Sequence, residues 1–259
     1  HPYTVAKMIT SIAFLHDRRV YLNMVAGGFK NDLMALNDRT PHDERYARLV
    51  EYTTVIRKLL ESPDPVSFEG DYYQVANLKL TPPLPNGLQP GLLVSGSSEA
   101  GSNAARTLGA TAVEYPKPAA EYASSRTNGA SSGIRIGLIV RDDDSEAWAI
   151  ARQRYPEDRK GQLTRKLATK VSDSNWHHQL SSMTESEDAG DTPYWLVPFQ
   201  NYKAMCPYLV GSYERVGEEL AHYVECGYTT FILDEPPSAE EMRHIGVAFA
   251  RASESAAAA

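Results

Sequence analysis

Residues 90–116, PGLLVSGSSEAGSNAARTLGATAVEYP, restrict the possible folds more than any other part of the chain. Leu92, Leu93 and Val94 form a short apolar run that reads as a buried strand. Ser95, Gly96, Ser97 and Ser98 make a turn of small residues, Glu99–Leu108 has helical spacing, Gly109 stops the helix, and residues 111–113 read as a second strand. Strand, helix and strand within so short a span make a βαβ unit, with parallel strands and the helix over one face. Gly96 lets the backbone approach a ligand. Ser97 and Ser98 place hydroxyls and free amides at the positive end of a helix, a setting that suits a phosphate. A plain βα loop with a serine N-cap uses the same residues, so the turn alone leaves both readings open.

The alternation continues on both sides. Val5, Met8, Ile9, Ile12 and Ala13 give a helix over 4–15, followed by a strand over 20–25 and the open backbone of Ala26, Gly27 and Gly28. Asn23 interrupts that strand's apolar run, and a buried Asn without partners costs about 1–3 kcal/mol. A helix over 41–60 starts with Pro41 and acids; His42 and Tyr46, four apart, share a face as a polar pair or as a joint contact to a ligand. Residues 62–90 read as an inserted hairpin turning at Gly70 and Asp71, then an extended crossing set by its prolines. A strand over 134–140 carries Arg135 near its start, either a surface charge or a functional cation. Helices follow to about Tyr155 and over 161–183, which includes His177 and His178. The acidic, glycine-containing run 184–192 reads as a loop, and 184–210 as an active-site lid. The aromatic-rich stretch 193–211 has no clear period: Tyr194, Trp195, Phe199, Tyr202 and Tyr208 either wall an apolar pocket or pack the loop down. A helix over 212–226, a strand over 229–233 ending at Asp234, and a closing helix to about Ser253 complete the chain.

Five strands separated by helices give an α/β architecture, either a doubly wound parallel sheet or a β/α barrel. The small and polar residues Ala26 to Gly28, Ser95 to Ser98, and Asp234 with Glu235 all follow C-terminal strand ends, which form the active-site face of a barrel. An eight-stranded barrel needs three more strands. The chain opens at His1 inside a helix–strand unit, so the expectation is one partial barrel domain over 1–259 whose N-terminal strands precede His1.

Charge and cysteine usage narrow the partners. A net charge of −7 without a basic stripe argues against nucleic acid. No apolar run is long enough to span a bilayer and no signal peptide is visible. Cys206 and Cys226 have no metal-site spacing, so no metal is expected and a reducing cytoplasm is.

Several segments, in order and spacing, resemble the luciferase-like flavin-dependent monooxygenases, nearest to the alkanesulfonate monooxygenase branch. They are LNMVAGG (22–28), PHDERYARLVEYTTVIRKLL (41–60), FEGDYYQV (68–75), PGLLVSGSSEAGSNAARTLGA (90–110), IRIGLIVRDDDSEAW (134–148), LVG (209–211) and GYTTFIL (227–233). The resemblance implies a (β/α)8 TIM barrel with insertions that binds reduced FMN from a separate flavin reductase. With oxygen it would oxidise a small organic substrate through a flavin C4a-peroxide, usually as a homo-oligomer such as a dimer. By the same resemblance, Asn23, Ala26 and Gly27 lie against the isoalloxazine ring, and His42 and Tyr46 face the ribityl and phosphate end. Ser95, Gly96, Ser97, Ser98 and Glu99 hold the phosphate, and Arg135 matches an active-site arginine. The branch has a histidine two residues after that arginine, where this chain has Gly137. Its sulfonate-recognising set is largely missing, so the substrate is left open; His177, His178, Tyr194 and Asp234 are the available substitutes. The alternatives are a non-catalytic flavin-binding protein and an F420-dependent dehydrogenase on the same fold.

Overall fold

The computed structural model describes residues 1–122, 131–170 and 192–258. The chain divides into two compact units, His1–Ala112 and Val113–Ala259.

The first unit contains α1 (Pro2–His16), β1 (Tyr21–Met24), α2 (Lys30–Ala35), α3 (His42–Glu61), β2 (Val66–Glu69), β3 (Gln74–Leu78), β4 (Gly91–Ser95) and α4 (Glu99–Leu108). The strand β5 (Thr111–Glu114) begins at its end. Helices α1 and α3 meet through Ala6, Ile9 and Ala13 against Val55, Ile56, Leu59 and Leu60, all buried. β1 runs parallel to β4, with Asn23 opposite Leu93 and Met24 opposite Val94. The face carrying Leu22 and Met24 is half-buried against the apolar clusters, whereas Tyr21, Asn23 and Val25 are exposed. Only alternate residues of β1 meet the core, so Asn23 carries no burial cost there.

The expected hairpin is present: β2 and β3 pair antiparallel, with Phe68 opposite Val75 and Glu69 opposite Gln74. Its turn is tied to α3 by Glu51, whose carboxylate accepts hydrogen bonds from the amides of Asp71, Tyr72 and Tyr73 at 2.9, 2.9 and 3.0 Å. α4 keeps its expected bounds because both ends are fixed locally. The Ser98 side chain accepts from the Gly101 amide at its start, and Gly109 takes a left-handed conformation at its end.

The second unit is built on β6 (Ser132–Arg141), which runs parallel to β8 (Tyr208–Ser212) and to β9 (Tyr228–Leu233). A two-residue strand, β7 (Tyr194–Trp195), pairs antiparallel with β8. Among the described residues its helices are α5 (Asp144–Arg154), α6 (Arg159–Lys170), α7 (Val197–Gln200), α8 (Tyr213–Glu225) and α9 (Ala239–Ala258). Alternation in β6 separates two environments. Ile134, Ile136, Leu138 and Val140 pack with Leu220 and Tyr223 of α8 and Ile245 and Ala248 of α9. Ile139, on the other face with Arg135 and Gly137, packs with Ala147 and Ala151 of α5 and with Val210.

β7, β8 and α2 are absent from the sequence reading. β8 is five residues long inside an aromatic stretch, and only its pairing with β6 makes it a strand. The helix expected over 161–183 is α6 as far as Lys170, and the remainder lies outside the described residues. Among the described residues no helix is long and apolar enough to cross a membrane.

A buried ion cluster ties α9 to β6 and α5. Glu241, 6% exposed, is bonded to Arg141 and lies 3.0 Å from Arg154. Burial pushes the Glu241 carboxyl up, but Arg141 and Arg154 outweigh it and the net position is below the ordinary 4.5. A carboxylate with a depressed folded-state pKa contributes stability above its unfolded value and loses it as pH falls through the folded one. Glu241→Gln should therefore lower unfolding stability by about 3 kcal/mol at neutral pH, because the buried Arg141 and the half-buried Arg154 lose their counter-charge. The difference from wild type should shrink as pH falls below about 4.5, measured by urea titration at each pH.

Candidate active site

The turn between β4 and α4 holds the phosphate-suited residues. Tyr46, 8% exposed, reaches over from α3 and its hydroxyl bonds to the Ser98 side chain. Burial raises the Tyr46 phenol above its ordinary value, with the Ser98 bond opposing. A Cβ built on Gly96 would collide with the Tyr46 hydroxyl, so only glycine admits this contact. Gly101 packs the first turn of α4 against the same backbone, its ideal Cβ position 3.0 Å from the Gly96 carbonyl oxygen. Ser97 Oγ is shielded from solvent and has no hydrogen-bond partner among the described residues. Buried hydroxyls are normally satisfied. An unpaired one beside the free amides of a helix start fits an oxyanion such as a phosphate.

Nearby, Ser95 Oγ donates to Asn23 Oδ1 at 2.7 Å, which fixes the amide so that its N–H donors turn away from Ser95. His42 lies edge-on to Tyr46, with ring centroids 5.3 Å apart, and its Nδ1 is 2.7 Å from Asp43 Oδ1. Ala26 is half-buried, Gly27 is exposed with φ of 83°, and Glu99 is exposed at the first position of α4.

In the second unit, Arg135 and Asp234 come together. Arg135 Nη2 donates to Asp234 Oδ1 at 3.2 Å, and the Asp234 amide donates to the Ile136 carbonyl at 3.0 Å. Tyr208 donates its hydroxyl to Asp234 Oδ2 at 2.6 Å, and Tyr155 bonds to the Tyr208 hydroxyl at 2.7 Å. The Tyr208 ring lies where a side chain at position 137 would be, since a Cβ on Gly137 would collide with it. Gly137 thus makes room for a tyrosine from the neighbouring strand. Burial, together with the bonds to Asp234 and Tyr155, holds the Tyr208 phenol far above its ordinary range. Burial also pushes the Cys206 thiol up to about 12, with Asp234 adding and Arg135 opposing, so Cys206 is an unreactive thiol at neutral pH. Arg135 is held above its ordinary value: burial lowers it, but Tyr115, Cys206 and Asp234 together raise it further.

Tyr194, Trp195 and Phe199 are placed in the core of this unit rather than at its surface, each 7% exposed or less. The Tyr194 hydroxyl donates to the Pro116 carbonyl at 2.7 Å, and Trp195 meets Trp148 and Tyr155 edge-on. His177 and His178 lie outside the described residues, as does 184–191 of the expected lid. Sequence reasoning missed Tyr155, and took Tyr208 for one of several aromatics without its bond to Asp234. The available signal was the glycine inside the apolar strand 134–140, which marks a close approach by another group. Among the described residues no group of His, Cys, Asp and Glu is arranged to hold a metal ion.

Parallel strands joined through helices, with small and polar residues after the C-terminal ends of β4 and of β9, define an α/β protein. A sequence model of the luciferase-like monooxygenase family matches residues 1–230, and the chain belongs to that family. It is similar to 4-(gamma-L-glutamylamino)butanoyl-[BtrI acyl-carrier protein] monooxygenase BtrO of Niallia circulans: 36% identical over 249 residues, covering 94% of this chain and 73% of the relative. Its structure resembles riboflavin lyase RcaE, solved with modified FMN and riboflavin, with a TM-score of 0.71 and 15% identity over 97% of this chain and 68% of that one. EDTA monooxygenase EmoA from Chelativorans sp. BNC1 gives a TM-score of 0.63 and 16% identity over 99% and 72%. At these identities the structural likeness shows the fold, which is the luciferase-like α/β class expected from the sequence.

Gly137→Ala should drive the Tyr208 ring off β6, break its bond to Asp234 and cost about 1–3 kcal/mol through overpacking. Tyr208→Phe removes only the hydroxyl and should cost about 1 kcal/mol. Urea unfolding of the two variants against wild type measures both.

Proposed function

We propose that the chain is an FMN-dependent monooxygenase of the two-component kind, using reduced FMN delivered by a separate reductase, and oxygen, to oxidise a small organic substrate. The observation that carries this reading is the unpartnered Ser97 hydroxyl in the β4–α4 turn, beside the Tyr46–Ser98 contact that Gly96 permits. Family membership and the similarity to BtrO support a monooxygenase rather than a silent flavin-binding protein. The loss of the sulfonate set argues for a substrate other than an alkanesulfonate. A carrier-bound acyl chain, as the name of BtrO describes for that relative, is the first class to try.

When bound, the reduced flavin supplies the electrons that activate oxygen. The chain's own residues do the rest. Ser97, with the Ser98 and Glu99 amides and Ser95 and Gly96 around them, takes the phosphate. His42 and Tyr46 bear on the ribityl end, and Asn23 with Ala26 and Gly27 on the ring. Arg135 supplies a fixed positive charge for a developing anion. Asp234 holds that guanidinium in place, and Tyr208, whose phenol stays protonated, orients Asp234 as a constant donor. His177 and His178 are the proposed proton donors near neutral pH.

With purified protein, a flavin reductase, NADH and candidate acyl substrates, oxygen uptake should rise on adding substrate, and preference for reduced F420 over reduced FMN would count against the reading. Ser97→Ala should weaken FMN binding about tenfold, as loss of one hydrogen bond to a charged group requires, and leave the melting temperature unchanged. Fluorescence titration with calorimetry reads both.

A further inference from the structure

Arg165, in the middle of α6, has a role in none of the steps above. It is 5% exposed, and its Cζ lies 3.3 Å from the centroid of the Phe199 ring, so the guanidinium is stacked on the aromatic face. Nε, Nη1 and Nη2 are all shielded from solvent, and none has a hydrogen-bond partner among the described residues. The other strongly buried arginine of this unit, Arg141, is bonded to the carboxylate of Glu241, and Arg135 is bonded to Asp234. A buried charge is ordinarily paired, and an unpaired one carries a desolvation penalty that its surroundings do not repay.

The scaffold imposes this position. Asn201, fully buried at the end of α7, accepts at Oδ1 from Gln162 Nε2 at 3.2 Å and donates from Nδ2 to the Pro156 carbonyl at 2.8 Å. Gly161 lies so close to the Asn201 backbone that any side chain there would collide. Asp158 is 3.1 Å from Lys203, so that carboxylate is already engaged. α6 is thus clamped to the α7 segment on the side that carries Phe199, and the guanidinium is held where it is by more than its own flexible stem. The other groups acting on it electrostatically are the phenols of Tyr202 and Tyr115, which are neutral at physiological pH. Burial draws the side chain down to about 10, which still leaves it charged at pH 7.

A guanidinium stacked by its face offers its N–H donors only at its edges, in a planar fork that matches two coplanar oxygens. We infer that Arg165 is the anion-binding residue of a ligand site in this unit, presenting the edge of its Phe199-stacked guanidinium to a carboxylate of the substrate. The inference rests on the enzyme reading above for the word substrate, but its test needs neither flavin nor turnover, so the two fail separately.

Full-length protein is titrated with butanoate and glutarate, with butanamide as the neutral isostere and inorganic phosphate and sulfate as competing oxyanions. Binding is followed by ligand-observed NMR and by melting temperature. The expected result is carboxylate binding at least tenfold tighter than butanamide, with a rise in melting temperature. Arg165→Gln should abolish that preference and, having removed an unpaired buried charge, melt no lower than wild type without ligand. Arg165→Lys keeps the charge but not the fork, and should bind carboxylate about tenfold more weakly. If Arg165→Gln does not fold, the lysine variant decides. Equal binding of carboxylate and amide, unchanged carboxylate affinity in Arg165→Lys, or tighter binding of phosphate or sulfate overturns the assignment.

Discussion

The missing side chain at Gly96 is the constraint on which the phosphate-suited turn depends. A tyrosine hydroxyl from α3 occupies the space any Cβ would need, and it is this hydroxyl that bonds to the N-cap serine of α4. The helix start, the turn and α3 are therefore one steric unit. Ser98 spends its side chain on the Gly101 amide and Tyr46, which leaves Ser97 as the hydroxyl with nothing to bond. Buried hydroxyls are ordinarily hydrogen-bonded, and an unpaired one at a helix start marks where a ligand can complete the structure.

The second unit uses the same device for another end. Gly137 sits in a strand buried on both faces, and the Tyr208 ring from β8 fills the space above it. That brings a hydroxyl onto Asp234 and, through it, orders Arg135. With no side chain at position 137, a neighbouring strand supplies a phenol to that space. Because the phenol is far from ionising at neutral pH, its contribution is to orientation and not to proton transfer.

What could be read in advance follows from how local each signal is. α4 was legible to the residue because Ser98 and Gly109 fix its ends by chemistry within one turn. α1 and α3 were legible from apolar spacing, and the 66–78 hairpin from its Gly-Asp turn. The capture of that turn by Glu51, twenty residues earlier, was not, since nothing local requires it. β8 escaped because five residues carry no period, and the exposure of Asn23 was left open because an apolar run does not say which alternate residues meet a core. In the candidate site, the turn residues and Arg135 were found through family spacing. Tyr155, Arg165 and the bond from Tyr208 to Asp234 were not, since their significance comes from contacts with residues distant in sequence.

The central claim is that the β4–α4 turn grips a phosphate. The most direct measurement compares the affinities of FMN and riboflavin, which differ by that group alone, on the same protein. FMN should bind at least about a hundredfold tighter, as two or more charge-assisted hydrogen bonds require. Equal affinities for the two would contradict it.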